Sequence, residues 1–452
     1  MDIFNKQIIE LFLSRTGKSR ALWESGRQVL PDGGGGDMQC YWPYPVYMER
    51  AQGSRLYDVD GHEYVDFFCG AGTVLLGHRA PVILKAVESA LKNGVPASVA
   101  CENEIKLATL LRKHMPGMEL IRFLPSGSEA NQAAIRLARK FTGRGKIAKF
   151  EGGYHGQAQE MLISIEPAGP ACGPAEEPCC APWHTAMPAH MLEQVVILPF
   201  NNTDAAVRII EKHAGDLAAI MVETVLVHGG MIPADKSYMQ AIKDTATKHG
   251  ILLIFDEVVT GLRLVPGGAQ ELYGLTADMT VLGKPVGGGY PMGVLGGRKD
   301  VMSCICMERM QDKVCVAGST SGHPISVAAG LALLGELEKG EYYRHVQELA
   351  ALAAGGLQKV FDNAGVLCTV TGELMGLCRG FWPHFSDKAP RNSRDFYSED
   401  LLKLLNFCIG MIAHGIFMSP TGAPSITMAH TREDIDKMLK AASGVIRMMK
   451  AG

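Results

Sequence analysis

The sequence has no long basic stretch: 44 lysines and arginines stand against 47 aspartates and glutamates, a net charge of −3. Without a cationic face to neutralise phosphates, nucleic acid and anionic membrane surfaces are excluded as partners, and small molecules are the expected ligands. The N-terminal stretch MDIFNKQIIELFLSRTGKSR lacks the uninterrupted apolar run of a leader or a bilayer span, because Asp2, Lys6 and Glu10 fall within it. It reads as an amphipathic helix, and a cytoplasmic location is expected. The 12 cysteines lack the paired C-x₂-C spacing and companion histidines of a zinc site; Cys179-Cys180 and Cys304-x-Cys306 are the close pairs. Reduced thiols and no metal are expected. Internal repeats and heptads are also missing. What is there is an ordinary globular composition, 47% hydrophobic and 20% charged over 452 residues, enough for a large core and for two or three domains.

The chain is organised around the stretch from Ile251 to Gly296. Ile251-Leu252-Leu253-Ile254-Phe255 is an apolar run that ends at once in Asp256-Glu257, the pattern of a strand buried on both faces of a parallel sheet with acidic groups at its carboxyl end. Ligands bind at that end. A second apolar run, Met279 to Leu282, leads into Gly283-Lys284-Pro285 and the glycine-rich Val286 to Tyr290. One sheet edge thus receives a buried carboxylate and a lysine on a glycine-flanked loop. That pairing suits pyridoxal phosphate. A lysine amine holds the cofactor aldehyde as a Schiff base that a substrate amine can displace, and a carboxylate keeps the ring nitrogen protonated so that the ring accepts electrons. Lys284 and Asp256 are the candidates. Taken singly, Asp256-Glu257 reads as a cap and Lys284 as a surface lysine in a turn; the order of the whole stretch favours the cofactor.

Upstream, Leu120 to Leu124 reads as a short strand, followed by Pro125-Ser126-Gly127-Ser128-Glu129 and a helix through Lys140. A strand, a small turn and a helix N-terminus make an anion site, so Gly127 and Ser128 are expected to hold a phosphate, with N-capping by Ser128 as the structural alternative. Lys146 to Phe150 is another strand, ending in Glu151-Gly152-Gly153-Tyr154-His155-Gly156, where an aromatic ring can stack on a pyridine. His155 reads as a structural residue of that turn. Leu217 to Val222 is a buried strand ending in Glu223.

The segments DEVVTGLR, GGAQELYG, LGKPVGGGYPMGVLGGR, SGSEANQAAIRLAR and GGYHG resemble the class III pyridoxal phosphate aminotransferases. The resemblance runs from about Leu56 to the C-terminus, and within the family it points to the branch of glutamate-1-semialdehyde aminomutase and the β-amino acid and phenylglycine transaminases. It implies a fold-type-I transferase of class α/β: a three-layer α/β/α large domain with a mainly parallel sheet, and a smaller α+β domain. It implies transfer between a small-molecule amino donor and a keto acid acceptor, in a homodimer with shared active sites. Lys284 would form the Schiff base and then act as the base, Asp256 would pair with the ring nitrogen, and Tyr154 and Val258 would sandwich the ring. Gly127, Ser128 and the Ser319 or Thr320 of a second chain would hold the phosphate, and Glu223 would lie near the ring substituents or Arg263. An aminomutase or amino acid racemase on the same fold is the rival within the class. A nucleotide hydrolase built on Gly283-Lys284 lacks the G-x-x-x-x-G-K-[ST] spacing, and a silent cofactor-binding scaffold would not need Lys284 and Asp256 intact.

The strand and helix alternation predicts an N-terminal arm with part of the small domain over 1–70, a large cofactor domain over 71–323 and a C-terminal small domain over 324–452. Within these, helix is expected over 1–30, a hairpin around the Asp60-Gly61 turn, and a lid loop from Glu166 to His190. Short C-terminal strands are expected near Val366–Thr371, Leu377–Trp382 and Ser425–Met428. The arm carries Tyr41, Trp42 and Tyr44, which read equally as aromatic packing at a domain junction or as substrate contact; the resemblance, in which this arm reaches the active site, implies contact, so Trp42 and Tyr44 are expected at the substrate. A substrate carboxylate is usually held by arginine, and relatives carry one either in the loop where this chain has Gly33 to Gly36 or near Ser419 to Pro424; neither stretch has one here. The acidic residue that the aminomutase pattern places after Ser419-Pro420 is missing, and its lid serine is replaced near Pro167. An apolar or aromatic substrate body is therefore expected, with Arg263 as the arginine near the site.

Overall fold

Apolar runs of four to six residues, each stopped by glycine or a polar group, become the strands of the central sheet. The structure, a computed structural model, describes residues 4–167, 169–309, 311–374, 377–420 and 422–451. In chain order the strands are β1 (Met48–Gln52), β2 (Arg55–Asp58), β3 (Glu63–Asp66), β4 (Leu120–Leu124), β5 (Lys146–Phe150), β6 (Val195–Leu198), β7 (Leu217–Val222), β8 (Val225–Leu226), β9 (Ile232–Pro233), β10 (Leu252–Glu257), β11 (Met279–Leu282), β12 (Gly293–Gly297), β13 (Thr369–Leu374), β14 (Leu377–His384) and β15 (Ile416–Phe417). Two units divide the chain: Val82–Tyr343 with Pro390–Ser398, and Met1–Pro81 with Arg344–Ala389 and Glu399–Gly452.

The first of these holds a seven-stranded sheet in the order β4-β12-β11-β10-β7-β5-β6. Its β10-β11, β10-β7, β5-β7 and β5-β6 pairs are parallel, while β12 runs antiparallel to β11 and β4. Helix Gly127–Thr142 lays the small residues Ala130, Ala133, Ala134 and Ala138 on this sheet, in one core with Met221, Ile254, Met279, Val281 and Leu295. Alanine on that face lets the helix backbone come close to the strands, and the sheet reads apolar on both sides because both are covered. The mixed, mostly parallel α/β architecture is the one expected.

The boundaries differ from those read off the sequence: the sheet-bearing unit runs past residue 323 to Tyr343 and begins at Val82. The reason is helix Pro324–Leu337, apolar nearly all round, which packs on the loop after Lys284. A Cβ on Gly330 would sit 2.5 Å from the Val286 carbonyl oxygen, so the helix backbone touches that loop directly. The unit also takes back Pro390–Ser398 from the C-terminal part. There Arg394 donates from Nε and Nη2 to the two carboxylate oxygens of Glu151 at 2.7 and 2.8 Å, and to the carbonyls of Cys172 and Gly173 at 2.9 and 2.8 Å. The expected lid, Glu166–His190, is irregular chain with a 3₁₀ turn at Pro170–Cys172, and an isolated bridge joins Ile163 to Pro182 at its base.

The other unit carries the sheet β1-β2-β3-β15 and the β13-β14 hairpin. The Asp60-Gly61 turn joins β2 and β3, with Tyr57 opposite Glu63. The single N-terminal helix expected is two, Lys6–Arg15 and Gly17–Gly26, broken where the Thr16 hydroxyl bonds back to the Phe12 carbonyl. Ser425–Met428 is not the strand expected: one bridge, Gly380 to Ser425, is formed, and the Thr427 backbone and hydroxyl turn instead to His430 Nδ1. Among the described residues no helix is long and apolar enough to cross a membrane.

Candidate active site

Register alone brings the acidic strand ends together. Phe255 pairs with Val222, so Asp256 and Glu223 follow side by side, and Glu257 pairs with Leu282, two residues before Lys284. Asp256 is 5% exposed. Its Oδ2 accepts from Asn131 Nδ2 at 2.7 Å and lies 2.8 Å from His155 Nδ1, and its Oδ1 accepts from the Val258 N–H at 3.0 Å. Burial pushes the His155 pKa down against the pull of Asp256, so His155 is a neutral ring at neutral pH and Nδ1–H is the donor. Glu223 accepts from the Tyr154 N–H at 2.7 Å; burial first and then the charge of Asp256 push its pKa up to about 8.

Lys284 opens a 3₁₀ turn after β11 with φ +41°, a left-handed conformation that costs a non-glycine residue about 1–2 kcal/mol. The residue is half-buried, and desolvation of its amine lowers its pKa further than Glu223 and Asp256 raise it; Arg263 adds to the lowering. A buried amine poised toward its neutral form is a nucleophile at the carboxyl end of the sheet. Arg263 is itself buried and donates from Nε to the Val259 carbonyl at 3.0 Å.

Helix Gly127–Thr142 points its N-terminus into the same region. Ser126 is its N-cap, accepting from the Glu129 N–H at 3.2 Å; this corrects the capping alternative offered for Ser128. The first-turn N–H groups of Gly127 and Ser128 lie ahead of the intrahelical bonds, the arrangement that binds anions. A Cβ on Gly127 would sit 2.7 Å from Val258 Cγ2, and one on Gly156 would sit against Ser128, so the anion turn, Val258 and the Tyr154 turn are in contact. The structure therefore gathers Gly127, Ser128, Tyr154, Glu223, Asp256, Val258 and Lys284. Ser319 and Thr320 lie on an exposed loop, where the Ser319 carbonyl accepts from Ser98 Oγ at 2.7 Å and a Cβ on Gly318 would sit 3.4 Å from Pro125. In the other unit, Trp42 stacks on Phe4 with ring centroids 3.8 Å apart, and Tyr44 is buried against Phe12 and Trp23 with its hydroxyl 2.9 Å from that of Thr16. That packing leaves Tyr44 no face for a substrate.

Four residues escaped the sequence reading as parts of this region. Asn131 is a polar side chain on an otherwise apolar helix face, a signal that was there to find. His155 reads from the sequence as a structural residue of its turn, and the structure places its Nδ1 2.8 Å from Asp256 Oδ2. Lys149, on β5, is fully buried and donates to the carbonyls of Met161 and Ile163 at 3.1 and 2.6 Å; burial lowers its pKa to about 7. His228, on the turn after β8, stacks near Tyr154 with centroids 5.7 Å apart.

The model of the family described as aminotransferase class-III matches residues 39–443. The chain is 33% identical over 440 residues to a glutamate-1-semialdehyde 2,1-aminomutase of Thermodesulfovibrio yellowstonii, covering 96% of this chain and 100% of the relative. Among solved structures it is similar to an omega-transaminase from Sphaerobacter thermophilus, at 31% identity and a TM-score of 0.90, covering 96% of this chain and 98% of that one. It is also similar to a β-phenylalanine aminotransferase from Variovorax paradoxus, at 29% identity and a TM-score of 0.85, covering 98% and 97%. A match over most of its length to the family model, with the lysine, carboxylate and anion turn at one sheet edge, makes this chain a member of the class III aminotransferases, enzymes that use pyridoxal phosphate.

Proposed function

We propose that the protein is an aminotransferase that moves an amino group between an amine or amino acid with an apolar or aromatic body and a keto acid. The observation that carries the reading is the desolvated Lys284 amine beside Asp256 and Glu223 at the carboxyl end of the sheet. The residues fit pyridoxal phosphate: they offer an amine, a buried carboxylate, and a glycine at the anion turn where a Cβ would strike Val258. When bound, the cofactor supplies an electron sink for the carbanion formed at the substrate carbon. Lys284 would hold the cofactor through its Nζ, and the same amine, when free, would take and return the proton at the reacting carbon. Asp256, oriented by Asn131 and His155, keeps positive charge at the ring nitrogen. Tyr154 and Val258 would flank the ring, and the first-turn N–H groups of Gly127 and Ser128 would hold the phosphate. Glu223, protonated at neutral pH by its raised pKa, keeps a second negative charge off the site.

A second reading, an aminomutase or a racemase, is favoured by the name of the Thermodesulfovibrio relative. An aminomutase keeps the amino group in one molecule, so the need for an acceptor separates the two. A panel of amines and amino acids with pyruvate and 2-oxoglutarate is expected to show turnover only when a keto acid is added. Isomerisation of glutamate semialdehyde far faster than conversion of any apolar amine would overturn the first reading.

Phosphate binding completed by Ser319 and Thr320 of a second copy is part of the proposal, supported by their exposure. Mixing inactive Lys284→Ala chains with chains altered at both Ser319 and Thr320 is expected to restore part of the activity, because one site of each mixed dimer is intact. Mixed dimers that form and stay inactive count against a shared site.

A further inference from the structure

The outer wall of the site is built from side chains that the cofactor chemistry leaves unused. Beyond Tyr154 lies the His228 ring, its plane tilted 33° from that of the tyrosine, and Trp183 meets His228 edge-on with centroids 6.5 Å apart and planes at 66°. His228 Nε2 is 3.2 Å from Glu166 Oε1. Two connections supply the group: the one between β5 and β6 gives Tyr154 from its first turn and Glu166 and Trp183 from its long loop, and the turn after β8 gives His228.

Exposure argues that this is not a packing cluster. The Trp183 residue is 46% exposed, and the side chains of Glu166 and His228 are 42% and 34% exposed. The loop is nevertheless anchored, since the Trp183 N–H donates to the Leu162 carbonyl at 3.1 Å and Arg394 ties down its Cys172–Gly173 stretch. A half-bare indole held in place against His228, the ring next to Tyr154, presents a planar apolar face to whatever enters. The charge at that face is negative: among the described contacts His228 is the basic partner of Glu166, and neither lysine nor arginine pairs with it. Tyr397 stands within the field of the same carboxylate, which together with burial raises its pKa.

We propose that Trp183 and His228 form the subsite for an aryl group on the amine donor, and that Glu166 rejects donors bearing a distal carboxylate. This rests on the aminotransferase reading above and adds its substrate class. Aromatic rings stack or meet edge-to-face with an aryl group, whereas a second carboxylate entering beside Glu166 finds like charge and no cation. His228, bonded to Glu166, holds the wall in register with Tyr154.

The test uses the holoenzyme with one fixed keto acid and three donors: 1-phenylethylamine, 2-butylamine and glutamate. Trp183→Ala is expected to lower the phenylethylamine to butylamine ratio of kcat/KM about tenfold, and His228→Asn to lower it less. Glu166→Gln is expected to raise the glutamate to phenylethylamine ratio about tenfold. Binding of the unreactive 3-phenyl-1-propanol is followed separately by quenching of tryptophan fluorescence, saturable in the wild type and lost in Trp183→Phe. Ratios that move less than twofold in all three variants, or no saturable quenching, overturn the subsite. If quenching is as expected and no donor turns over with any keto acid, the aryl subsite stands and the aminotransferase reading fails.

Discussion

Replacing Lys284 with alanine is expected to lower turnover by at least about 10⁴-fold, since one side chain both holds the cofactor and moves the proton. Protein reconstituted with pyridoxal phosphate and reduced with borohydride should carry its label on Lys284, and the alanine variant should carry none there. The position makes the effect specific. Lys284 is the second residue beyond β11, level with the Asp256 end of β10, and its backbone is held at φ +41°. Its amine is desolvated where the surface lysines are not. Lys149 provides an internal control, because it is also buried with a lowered pKa but spends its amine on two loop carbonyls. A label on Lys149, or activity in the Lys284 variant within tenfold of wild type, would sink the assignment.

Asp256→Asn should follow, with kcat reduced about 10²–10³-fold and the fold kept. Asparagine fills the same space and its one carbonyl oxygen can still accept from the Val258 N–H, while its NH₂ takes the place of the oxygen that accepts from Asn131 and faces His155, so one of the local bonds survives. What disappears is the negative charge, and with it the protonated ring nitrogen of the bound cofactor. The bound cofactor's absorbance should then titrate across a pH range in which that of the wild type is constant. A variant with kcat within about fivefold of wild type and an unchanged titration would be evidence against the role.

Lys284, Asp256 and Glu223 were legible because their signal is local: an apolar run that stops dead at a charged residue is a buried strand reaching a sheet edge. The partners of Asp256 were not. Asn131 and His155 lie 125 and 101 residues away in sequence, and only the fold decides which helix face and which turn meet that carboxylate. The strand β12 was overlooked for a different reason. Its sequence, GVLGG, has little strand propensity, but a Cβ on Gly296 would sit 2.4 Å from Met118 Cε, so side chains from outside fill the room its own would take. The domain limits read from the sequence differ from the two units where an apolar helix, Pro324–Leu337, follows the last motif of the cofactor region yet packs on the loop after Lys284. At Tyr44 the sequence left packing and ligand contact open, because an aromatic cluster looks alike whether it faces a ligand or, as here, Phe12 and Trp23.

The Arg394 strap has a consequence for how the chain is made. Glu151, buried to 4% exposure, is joined to a partner 243 residues further along the chain. At about 5–20 residues per second the ribosome delivers that arginine roughly 12–50 s after the glutamate. Until then the Glu151 carboxylate has to stay hydrated, so the turn carrying Tyr154 and His155 can assemble around its strand but cannot close. The sheet-bearing unit is therefore completed only when most of the other unit has already left the ribosome.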